Sequence, residues 1–363
     1  MTLTAGIVGC GTIADAYCEA NDRFDSYRIA ACADLERERA EATAAEYGLE
    51  ARSVEDLLVD PDIDIAINLT PPTAHAGVIL QALEADTHVY TEKPLATDLE
   101  DAEAVLETAD ERGLRVGSAP DTVLGAGLQT ARAVLEAGRI GRPIGATANL
   151  VFGGHESWHP NPDLYYQEGG GPLFDMGPYY VGALIALLGP AERVTGATGR
   201  AFEERTIGSG PRAGESIDVE VPTHEVGVVT FENGAIANLQ ISFDAVGGTS
   251  GPSPLFELYG TEGTLQLPDP NDFDGAVRVR ERGADEFETV RHTHDYTAGR
   301  GVGVADLARS LQNDDWEHRT SGRRAYHTLE IMAGVRTAAE REEHVRIESA
   351  CERPAPLPET FPK

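Results

Sequence analysis

The stretch Gly9-Cys10-Gly11-Thr12-Ile13-Ala14 decides the fold of this sequence, because it directly follows an apolar run, Leu3–Val8, and opens a segment of helical pattern. Glycines at its first and third places let a tight turn close and let the backbone approach a pyrophosphate. The free backbone amides at the start of the next helix favour an anion. This order of strand, glycine turn and helix predicts a dinucleotide-binding fold. The predicted cofactor contacts in the turn are Gly9, Gly11, Thr12 and Ile13.

A second strand-like run, Arg28–Ala33, ends in Asp34, which lies 20 residues after Ala14. An acid at this spacing accepts hydrogen bonds from the ribose hydroxyls of adenosine, and its carboxylate repels a 2′-phosphate. Asp34 therefore favours NAD over NADP as the cofactor. Arg37 and Arg39 follow within one helical turn and keep some use of NADP open.

Strand-like and helix-like segments alternate from Leu3 to Ser118, which predicts a doubly wound parallel sheet. We assign residues 1–122 to this α/β Rossmann domain. Ligands of such a sheet bind outside the carboxyl ends of its strands. The further candidate cofactor contacts at these ends are Thr70, Pro71 and His75 after one strand, Glu92 and Lys93 after the next, and Asp121 after the last. For His75 a packing or capping role is the alternative, and for Asp121 a role in a turn.

Two helix starts in this domain carry capping signals. Ser53 precedes a short helix over residues 54–58, and its hydroxyl suits an N-cap. Thr97 and Glu100 have the spacing of a capping box for the helix that ends at Gly113. Both helices are expected to begin at these residues.

Lys93 stands out because this sequence makes almost no use of lysine. Of its 29 basic residues only Lys93 and Lys363 are lysines. Arginine stays charged at any working pH, whereas the compact lysine ammonium donates to a developing alkoxide and its pKa responds to burial and neighbouring charges. A lysine kept at a strand end of this sheet indicates a chemical role for Lys93.

The net charge of −32 excludes some classes of partner. Such a charge repels nucleic acid and anionic membrane surfaces, and no window approaches the roughly 18 apolar residues of a membrane helix. The sequence also starts without the pattern of a signal peptide, so a soluble cytoplasmic protein is expected. Acid excess with little lysine resembles proteins adapted to a cytoplasm at high salt, where screening limits self-repulsion.

No metal site is predicted. The four cysteines show no ligand spacing, and the pair His292 and His294 stands alone. Buried free thiols are the expected state of these cysteines.

Residues 123–363 have a different pattern and predict an α+β domain with a large, mainly antiparallel sheet. Asn233-Gly234 joins two strand-like runs, 226–231 and 235–243, and is a strong signal for a tight hairpin. An apolar helix extends to Leu188, and helices near residues 303–312 and 322–342 follow. We assign substrate binding to this second domain.

Four motifs occur in an order and spacing that resemble the glucose-fructose oxidoreductase, inositol dehydrogenase and rhizopine catabolism (Gfo/Idh/MocA) family. They are the glycine turn at residues 9–14, Thr70-Pro71 with His75, Glu92-Lys93-Pro94, and Asp175-Met176-Gly177-Pro178-Tyr179. The resemblance spans nearly the whole chain. It implies hydride transfer between NAD or NADP and a sugar, polyol or related ring alcohol, and a dimer or tetramer that associates through the sheet of the second domain.

By position in the family pattern, Lys93 corresponds to the catalytic lysine and Asp175 to the acid of the last motif. Most members have a histidine where this sequence has Tyr179, so the identity of the proton-transferring group stays open. A tyrosine has an ordinary pKa near 10, and a nearby ammonium is the natural cause of a lower value. We therefore favour a pair of Lys93 and Tyr179.

His155 and His159 compete with Tyr179 for the role of base, because an imidazole titrates near neutrality without adjustment. Both flank Trp158 on a loop over residues 153–160, and the indole offers a surface for the apolar face of a sugar ring. The predicted substrate contacts are His155, Trp158, His159, Asp175 and Tyr179. An ordinary surface loop with an anchoring tryptophan is the alternative.

Two other functions remain open for this sequence. An NAD-dependent glycoside hydrolase would retain its cofactor and cleave a glycosidic bond through transient oxidation, as some members of the family do. A non-enzymatic sensor would bind nucleotide and a protein partner, and the presence of Lys93 and Asp175 argues against it.

Overall fold

Six parallel strands form the first sheet of the computed structural model, which describes residues 2–159, 161–245 and 255–361. They are β1 (Leu3–Val8), β2 (Tyr27–Ala33), β3 (Glu50–Arg52), β4 (Ile65–Asn68), β5 (His88–Thr91) and β6 (Val116–Ser118). Their order in the sheet is β3-β2-β1-β4-β5-β6, and every neighbouring pair is parallel. The predicted doubly wound Rossmann sheet is confirmed.

The strand order reverses between β1 and β4, and this is the point at which a doubly wound sheet opens a crevice for a ligand. Gly9 follows β1 with a φ of +100°, a conformation that favours glycine. A Cβ atom at Gly9 would lie 2.8 Å from the carbonyl carbon of Leu69. The turns after β1 and β4 therefore approach so closely that only glycine fits.

Five helices connect the strands of this sheet. They are α1 (Ala14–Cys18), α2 (Arg37–Tyr47), α3 (Val54–Leu58), α4 (His75–Glu84) and α5 (Leu99–Arg112). Helix α1 ends at Cys18, and shortly after it the Asn21 side chain accepts a hydrogen bond from the Ile29 amide at 2.6 Å and donates to the Ile29 carbonyl. These bonds draw the chain into a short 3₁₀ turn instead of another helical turn.

The structure confirms one predicted helix cap and corrects the other. The Ser53 hydroxyl accepts from the Asp56 amide at 3.1 Å at the start of α3. The capping box of Thr97 and Glu100 is wrong, because Asp98 caps α5 and its carboxylate accepts from the Asp101 amide at 2.9 Å. Aspartate is a strong N-cap, so the helix begins one residue later than predicted.

A nine-stranded mixed sheet dominates the second half of the chain. Its strands are β7 (Pro143–Val151), β8 (Ala191–Gly199), β11 (His224–Phe231), β12 (Ile236–Ser242), β13 (Leu255–Gly260), β14 (Gly263–Gln266), β15 (Val277–Glu281), β16 (Glu288–Val290) and β17 (Val345–Arg346), while β9 (Glu204–Thr206) and β10 (Ser216–Asp218) form a separate pair. All neighbours are antiparallel except β7 and β12, and the Asn233-Gly234 hairpin between β11 and β12 is as predicted.

Four further helices complete the described elements. They are α6 (Ala126–Glu136), α7 (Pro172–Leu188), α8 (Val302–Gln312) and α9 (Gly322–Arg341). None of the helices in the described residues is both long enough and apolar enough to cross a membrane. The same part of the chain contains no group of three His, Cys, Asp or Glu residues that could hold a metal ion.

The chain divides into two compact units that are discontinuous in sequence. The first consists of Met1–Gly125, Tyr296–Tyr326 and Pro354–Lys363, and the second of Ala126–Asp295 and His327–Arg353. The first boundary lies close to the predicted one at residue 122. Residues 296–326 join the first unit, because α8 packs its buried face against β2, β5 and β6.

Candidate functional site

The glycine turn after β1 has the shape of a site for a phosphate-bearing cofactor. The Cys10 amide donates to Asp34 Oδ2 at 2.8 Å, and the Gly9 amide donates to the Ala33 carbonyl, so the turn is tied to the end of β2. Gly11 and Thr12 are exposed. A Cβ atom at Gly11 would meet no atom within 4 Å, which leaves open space beside the backbone. These residues fit a dinucleotide.

Asp34 is half-buried and positioned by its own backbone neighbours. Its Oδ1 accepts from the Glu36 amide at 2.8 Å. A carboxylate has about four lone-pair sites, so Asp34 can still accept from a ribose hydroxyl. Arg37 and Arg39 form exposed ion pairs with Glu41 and Glu36 at 2.7 and 2.9 Å, so both guanidinium groups already have carboxylate partners.

His75 links the turn after β4 to the turn after β5. It is fully buried, with Nε2 at 2.8 Å from the Thr70 carbonyl oxygen and Nδ1 at 2.6 Å from the Pro94 carbonyl oxygen. Burial lowers the pKa of His75, and the two carbonyls and Glu92 act against that shift. His75 therefore positions these two turns and has no exposed surface with which to contact a cofactor. Thr70 is half-buried and Pro71 is exposed.

Residues 91–94, here called the Lys93 turn, are held by buried polar groups at the end of β5. Glu92 Oε1 accepts from the Tyr17 hydroxyl at 2.8 Å, and Glu92 Oε2 accepts from the Lys93 amide at 3.1 Å. Burial, and next Glu92, raise the pKa of Tyr17 well above its usual value, so this phenol stays a donor. Lys93 itself is half-buried. Glu92 thus fixes the turn on which Lys93 lies.

Asp121 caps helix α8. Its Oδ2 accepts from the amides of Gly301 and Gly303 at 3.0 and 3.2 Å, and its Oδ1 lies 3.2 Å from an Arg300 guanidinium nitrogen. Burial raises the pKa of Asp121, and Arg300 opposes that effect. Because the carboxylate is fully buried, the turn and capping role fits it and contact with a cofactor does not.

In the second unit, helix α7 carries Asp175 and Tyr179 four residues apart, so both lie on one face of the helix. The start of α7 is fixed by the buried Glu225, whose Oε2 accepts from the Leu173 amide at 2.9 Å. Glu225 Oε1 in turn accepts from Arg336 Nε at 2.7 Å. This arrangement anchors the first turn of the helix, which contains Asp175.

His155 and Asp175 are bonded to each other in the second unit. His155 Nε2 lies 2.8 Å from Asp175 Oδ2. The imidazole is buried among four aromatic rings, whose centroids lie 4.1 to 5.2 Å away: Phe152, Trp158, Tyr165 and Phe243. His155 Nδ1 is buried and has no hydrogen-bond partner among the described residues.

Trp158 and His159 lie on the open side of this aromatic group. The Trp158 residue is 58% exposed, and its ring centroid is 5.4 Å from that of His159. His159 Nδ1 accepts from the Asn161 amide at 3.2 Å, and partial burial lowers the pKa of His159. His159 therefore faces its own loop, and His155 is the histidine bonded to Asp175. Pro160, at the end of the predicted loop, lies outside the described residues.

Residues 153–159, here called the His155 loop, are fixed by Arg205 on β9. The guanidinium donates to Glu156 Oε1 at 2.8 Å, to the Gly153 carbonyl at 3.2 Å, and to Asp244. Glu156 Oε2 also accepts from the Tyr166 hydroxyl. Arg205 and Glu156 are both buried, so this ion pair is shielded from water.

Four residues with a supporting role were missed from the sequence: Tyr17, Asn68, Arg205 and Glu225. Asn68 follows the apolar core of β4, and its amide oxygen accepts from the Thr70 hydroxyl at 2.7 Å. A polar residue at the end of an apolar strand indicates such a supporting role, and Asn68 has that position in the sequence. For Arg205 and Glu225 no local pattern marks the role, because their partners are remote in the chain.

The fold and these sites define a class of protein, the oxidoreductases with an NAD-binding Rossmann unit and an α+β unit that carries a mixed sheet. Residues 3–119 match the family model described as oxidoreductase family, NAD-binding Rossmann fold, and residues 128–266 match the GFO/IDH/MocA C-terminal domain. The chain belongs to the Gfo/Idh/MocA family of NAD-binding oxidoreductases.

Named relatives support this assignment. The chain is 30% identical to 1,5-anhydro-D-fructose reductase of Ensifer adhaerens over 270 residues, which cover 72% of this chain and 74% of that protein. It is 26% identical to D-xylose 1-dehydrogenase (NADP(+)) 2 of Haloferax volcanii over 300 residues, 80% of this chain and 83% of the relative. A crystal structure of an NAD-binding oxidoreductase from Klebsiella pneumoniae has the same fold, with a TM-score of 0.81, 22% identity, and coverage of 96% of this chain and 100% of that one.

Proposed function

We propose that this protein transfers a hydride between NAD and a secondary alcohol of a sugar, sugar derivative or cyclitol. The observation that carries the proposal is the hydrogen bond from His155 to Asp175 inside a group of aromatic rings. A carboxylate and imidazole pair can take up the hydroxyl proton, and the rings offer a surface for the carbon face of a sugar. The activities named for the Ensifer and Haloferax relatives support this substrate class.

The glycine turn and Asp34 are the residues that would hold the dinucleotide. When bound, NAD supplies the hydride acceptor. The Asp34 carboxylate disfavours a 2′-phosphate, and the pairing of Arg37 and Arg39 with glutamates supports the preference for NAD over NADP. The proposed cofactor contacts are Gly9, Gly11, Thr12, Ile13, Asp34, Thr70, Pro71, Glu92 and Lys93.

For the chemical step we propose Lys93, Asp175, Tyr179 and His155. Asp175 Oδ2 accepts from Nε2–H of His155 in the neutral tautomer that has its lone pair on the buried Nδ1. The proton of the alcohol passes to the Asp175 carboxylate, which this hydrogen bond orients, while the ammonium of Lys93 stabilises the alkoxide. The pairing of Lys93 with Tyr179 stays a prediction.

The test of this function is a screen of sugars, polyols and cyclitols with NAD and NADP in molar KCl, followed by absorbance of the reduced nicotinamide. We expect turnover with NAD for at least one sugar or cyclitol. No cofactor turnover in either direction with any compound would overturn the proposal. Release of a product sugar without net reduced cofactor would instead identify a glycoside hydrolase that retains NAD.

Two variants separate the candidate proton carriers. His155→Gln should lower kcat about a hundredfold, since acid–base groups and their partners contribute about 10²–10⁴. Tyr179→Phe should lower kcat by less than tenfold. The reverse result would assign the proton to Tyr179.

We further propose that the protein forms a homodimer or homotetramer through the outward face of the second sheet. The outward positions of β7, β11 and β12 carry no carboxylate, although the whole chain has 61 acidic residues. Val228 and Ile236 on this face are 38% and 53% exposed. We expect Val228→Asp with Ile236→Asp to yield monomers in light scattering, and an unchanged mass would contradict this interface.

We also propose that the protein works in a cytoplasm at high salt. Its net charge of −32 is consistent with that setting, and one relative comes from Haloferax volcanii. Salt screens repulsion among exposed carboxylates. We expect the melting temperature to rise between 0.1 and about 2 M KCl, and a salt-independent melting temperature would contradict the proposal.

A further inference from the structure

The arginines around the His155 loop are already paired with carboxylates. Arg205 is buried between Glu156 and Asp244. Arg212 Nη1 lies 2.5 Å from Asp163 and Arg212 Nε lies 2.8 Å from Glu215. Each of these two guanidinium groups forms ion pairs with two carboxylates. Neither retains net positive charge for a ligand.

Two further arginines of the second unit, Arg200 and Arg336, also have carboxylate partners. Arg200 pairs with Glu203 at 2.7 Å, and Arg336 pairs with the buried Glu225 at 2.7 Å. The sequence between residues 145 and 192 contains no arginine or lysine. Residues 246–254 lie outside the described part of the structure, but their sequence, Val-Gly-Gly-Thr-Ser-Gly-Pro-Ser-Pro, has no ionisable side chain.

The carboxylate that lies at the aromatic group disfavours an anion. Asp175 Oδ2 is 2.8 Å from His155 Nε2. Phosphate and carboxylate ligands need a guanidinium, an ammonium or a set of free amides, and the ammonium of Lys93 in the first unit is assigned to the oxygen of the reacting alcohol. The net charge of −32 adds long-range repulsion.

The aromatic group offers an apolar surface to a ligand. Trp158 is 58% exposed beside the edges of His155 and His159, and Tyr165 lies next to both histidines. A flat ring with one apolar face stacks on such a surface, while polar tips of the aromatic residues meet its hydroxyls.

From this arrangement we infer that the second unit recognises an uncharged ring, a neutral monosaccharide or cyclitol, stacked on Trp158, and that it rejects sugar phosphates, sugar acids and nucleotide sugars. This inference rests on the proposed function and narrows its substrate class. Recognition comes from stacking and hydroxyl contacts, and the arginines of the unit serve to hold its loops.

Binding and turnover are measured with matched rings that differ only in charge: D-glucose, D-glucose 6-phosphate and D-glucuronate, and myo-inositol with its monophosphate. Quenching of tryptophan fluorescence in the presence of NAD reports binding, and the Trp158→Phe variant, which retains Trp316, assigns the signal. We expect neutral rings to quench the Trp158 signal and to exceed their charged counterparts at least a hundredfold in kcat/KM. Tighter or equal binding of a charged member, or no quenching by any neutral ring, would overturn the inference.

Turnover of charged rings alone would overturn the inference and leave the proposed hydride transfer intact. Quenching by neutral rings without cofactor turnover would support the inference on neutral rings and overturn the proposed hydride transfer. The two failures are therefore distinguishable.

A variant that removes a carboxylate partner from Arg212 should improve the binding of charged rings. Asp163→Asn removes one acid from Arg212, whose side chain is 36% exposed. We expect KM for the charged rings to fall about tenfold, with the neutral rings unchanged. Glu136→Gln, which removes the partner of Arg132 on α6, is the matched control and should leave selectivity unchanged. An equal effect of both variants would show that net charge, and not the pairing of Arg212, sets the selectivity.

Discussion

The Lys93 turn and the His155 loop both carry candidate catalytic groups, but they are fixed by different interactions. In the Lys93 turn, neighbouring buried groups bond the backbone, as His75 and Glu92 do. In the His155 loop, Arg205 joins two carboxylates that are 49 and 39 residues away in the chain. The first segment is thus held by hydrogen bonds within the first unit, one of them from Tyr17, 75 residues away in the chain, whereas the second is held by a buried cation between two carboxylates of the second unit.

The largest expected effect comes from the side chain that the Lys93 turn presents. Lys93→Met should lower kcat about ten-thousandfold, the upper end for a group in acid–base chemistry, because it removes the ammonium and keeps the turn. Affinity for NAD, measured by fluorescence titration, should change by less than tenfold. Lys93→Arg is the control that keeps charge but loses the compact donor, and it should stay at least a hundredfold below wild type. Near-normal turnover of the Met variant would remove Lys93 from the mechanism.

The next effect falls on stability and tests the buried ion pairs of the His155 loop. Arg205→Met leaves Glu156 and Asp244 without their cation, so the free energy of unfolding should fall by about 3–5 kcal/mol. Arg200→Met, which breaks an exposed pair, should cost about 0–1 kcal/mol. Urea denaturation followed by tryptophan fluorescence measures both free energies of unfolding. Similar losses in the two variants would mean that the buried ion pairs of Arg205 contribute no more to stability than an exposed pair.

A smaller, pH-dependent effect is expected from His75 in the first unit. His75→Asn should cost about 1–3 kcal/mol at pH 8, because a buried carbonyl loses the N–H donor of the neutral imidazole. Because burial lowers the pKa of folded His75, the unfolded wild-type chain takes up a proton below its ordinary pKa near 6.5 and wild-type stability falls there.

The difference in stability between wild type and His75→Asn should therefore narrow as pH drops from 8 to 5. Unfolding by urea at each pH gives this difference. A gap that widens on acidification would show that folded His75 is charged and binds its two carbonyls as an imidazolium.

The smallest effect concerns cofactor choice at Asp34. Asp34→Ser should shift the ratio of kcat/KM for NAD over NADP about tenfold toward NADP, since it removes the charge that repels a 2′-phosphate. Glu36→Gln, which releases Arg39, is the control and should shift the ratio by less than threefold. A larger shift in the control would assign the preference to Arg39 rather than to Asp34.

The sequence predicted the first sheet and its ligand edge well, because the relevant signals are local. Gly9 needs a positive φ, Ser53 caps the helix that follows it, and Lys93 sits one residue after the glutamate that fixes its turn. Ser53 and Lys93 depend on neighbours within three residues, and Gly9 is recognised from its local motif although it approaches the remote Leu69. Local patterns of this kind survive folding unchanged.

Other features depend on contacts that no local pattern contains. Strand β8 was missed, since Ala191–Gly199 has few apolar residues and is defined by its pairing with β11. Asp98 outcompeted Thr97 as a cap, although both have suitable side chains. The bond between His155 and Asp175 spans 20 residues and forms because a loop and a helix meet, so the sequence left the partner of Asp175 open.

The discontinuous first unit has a consequence for biosynthesis. The six strands of its sheet leave the ribosome before Tyr296–Tyr326 and Pro354–Lys363, which belong to the same unit. Until then, the Tyr27 hydroxyl lacks the Gly301 carbonyl to which it donates, and Trp316 lacks Phe361, whose ring centroid lies 5.2 Å from its own in the folded protein. Domains fold as they emerge during translation, so the first unit cannot complete its packing until the second unit has been made. The side of the sheet that α8 covers stays exposed until residues 302–312 have been synthesised.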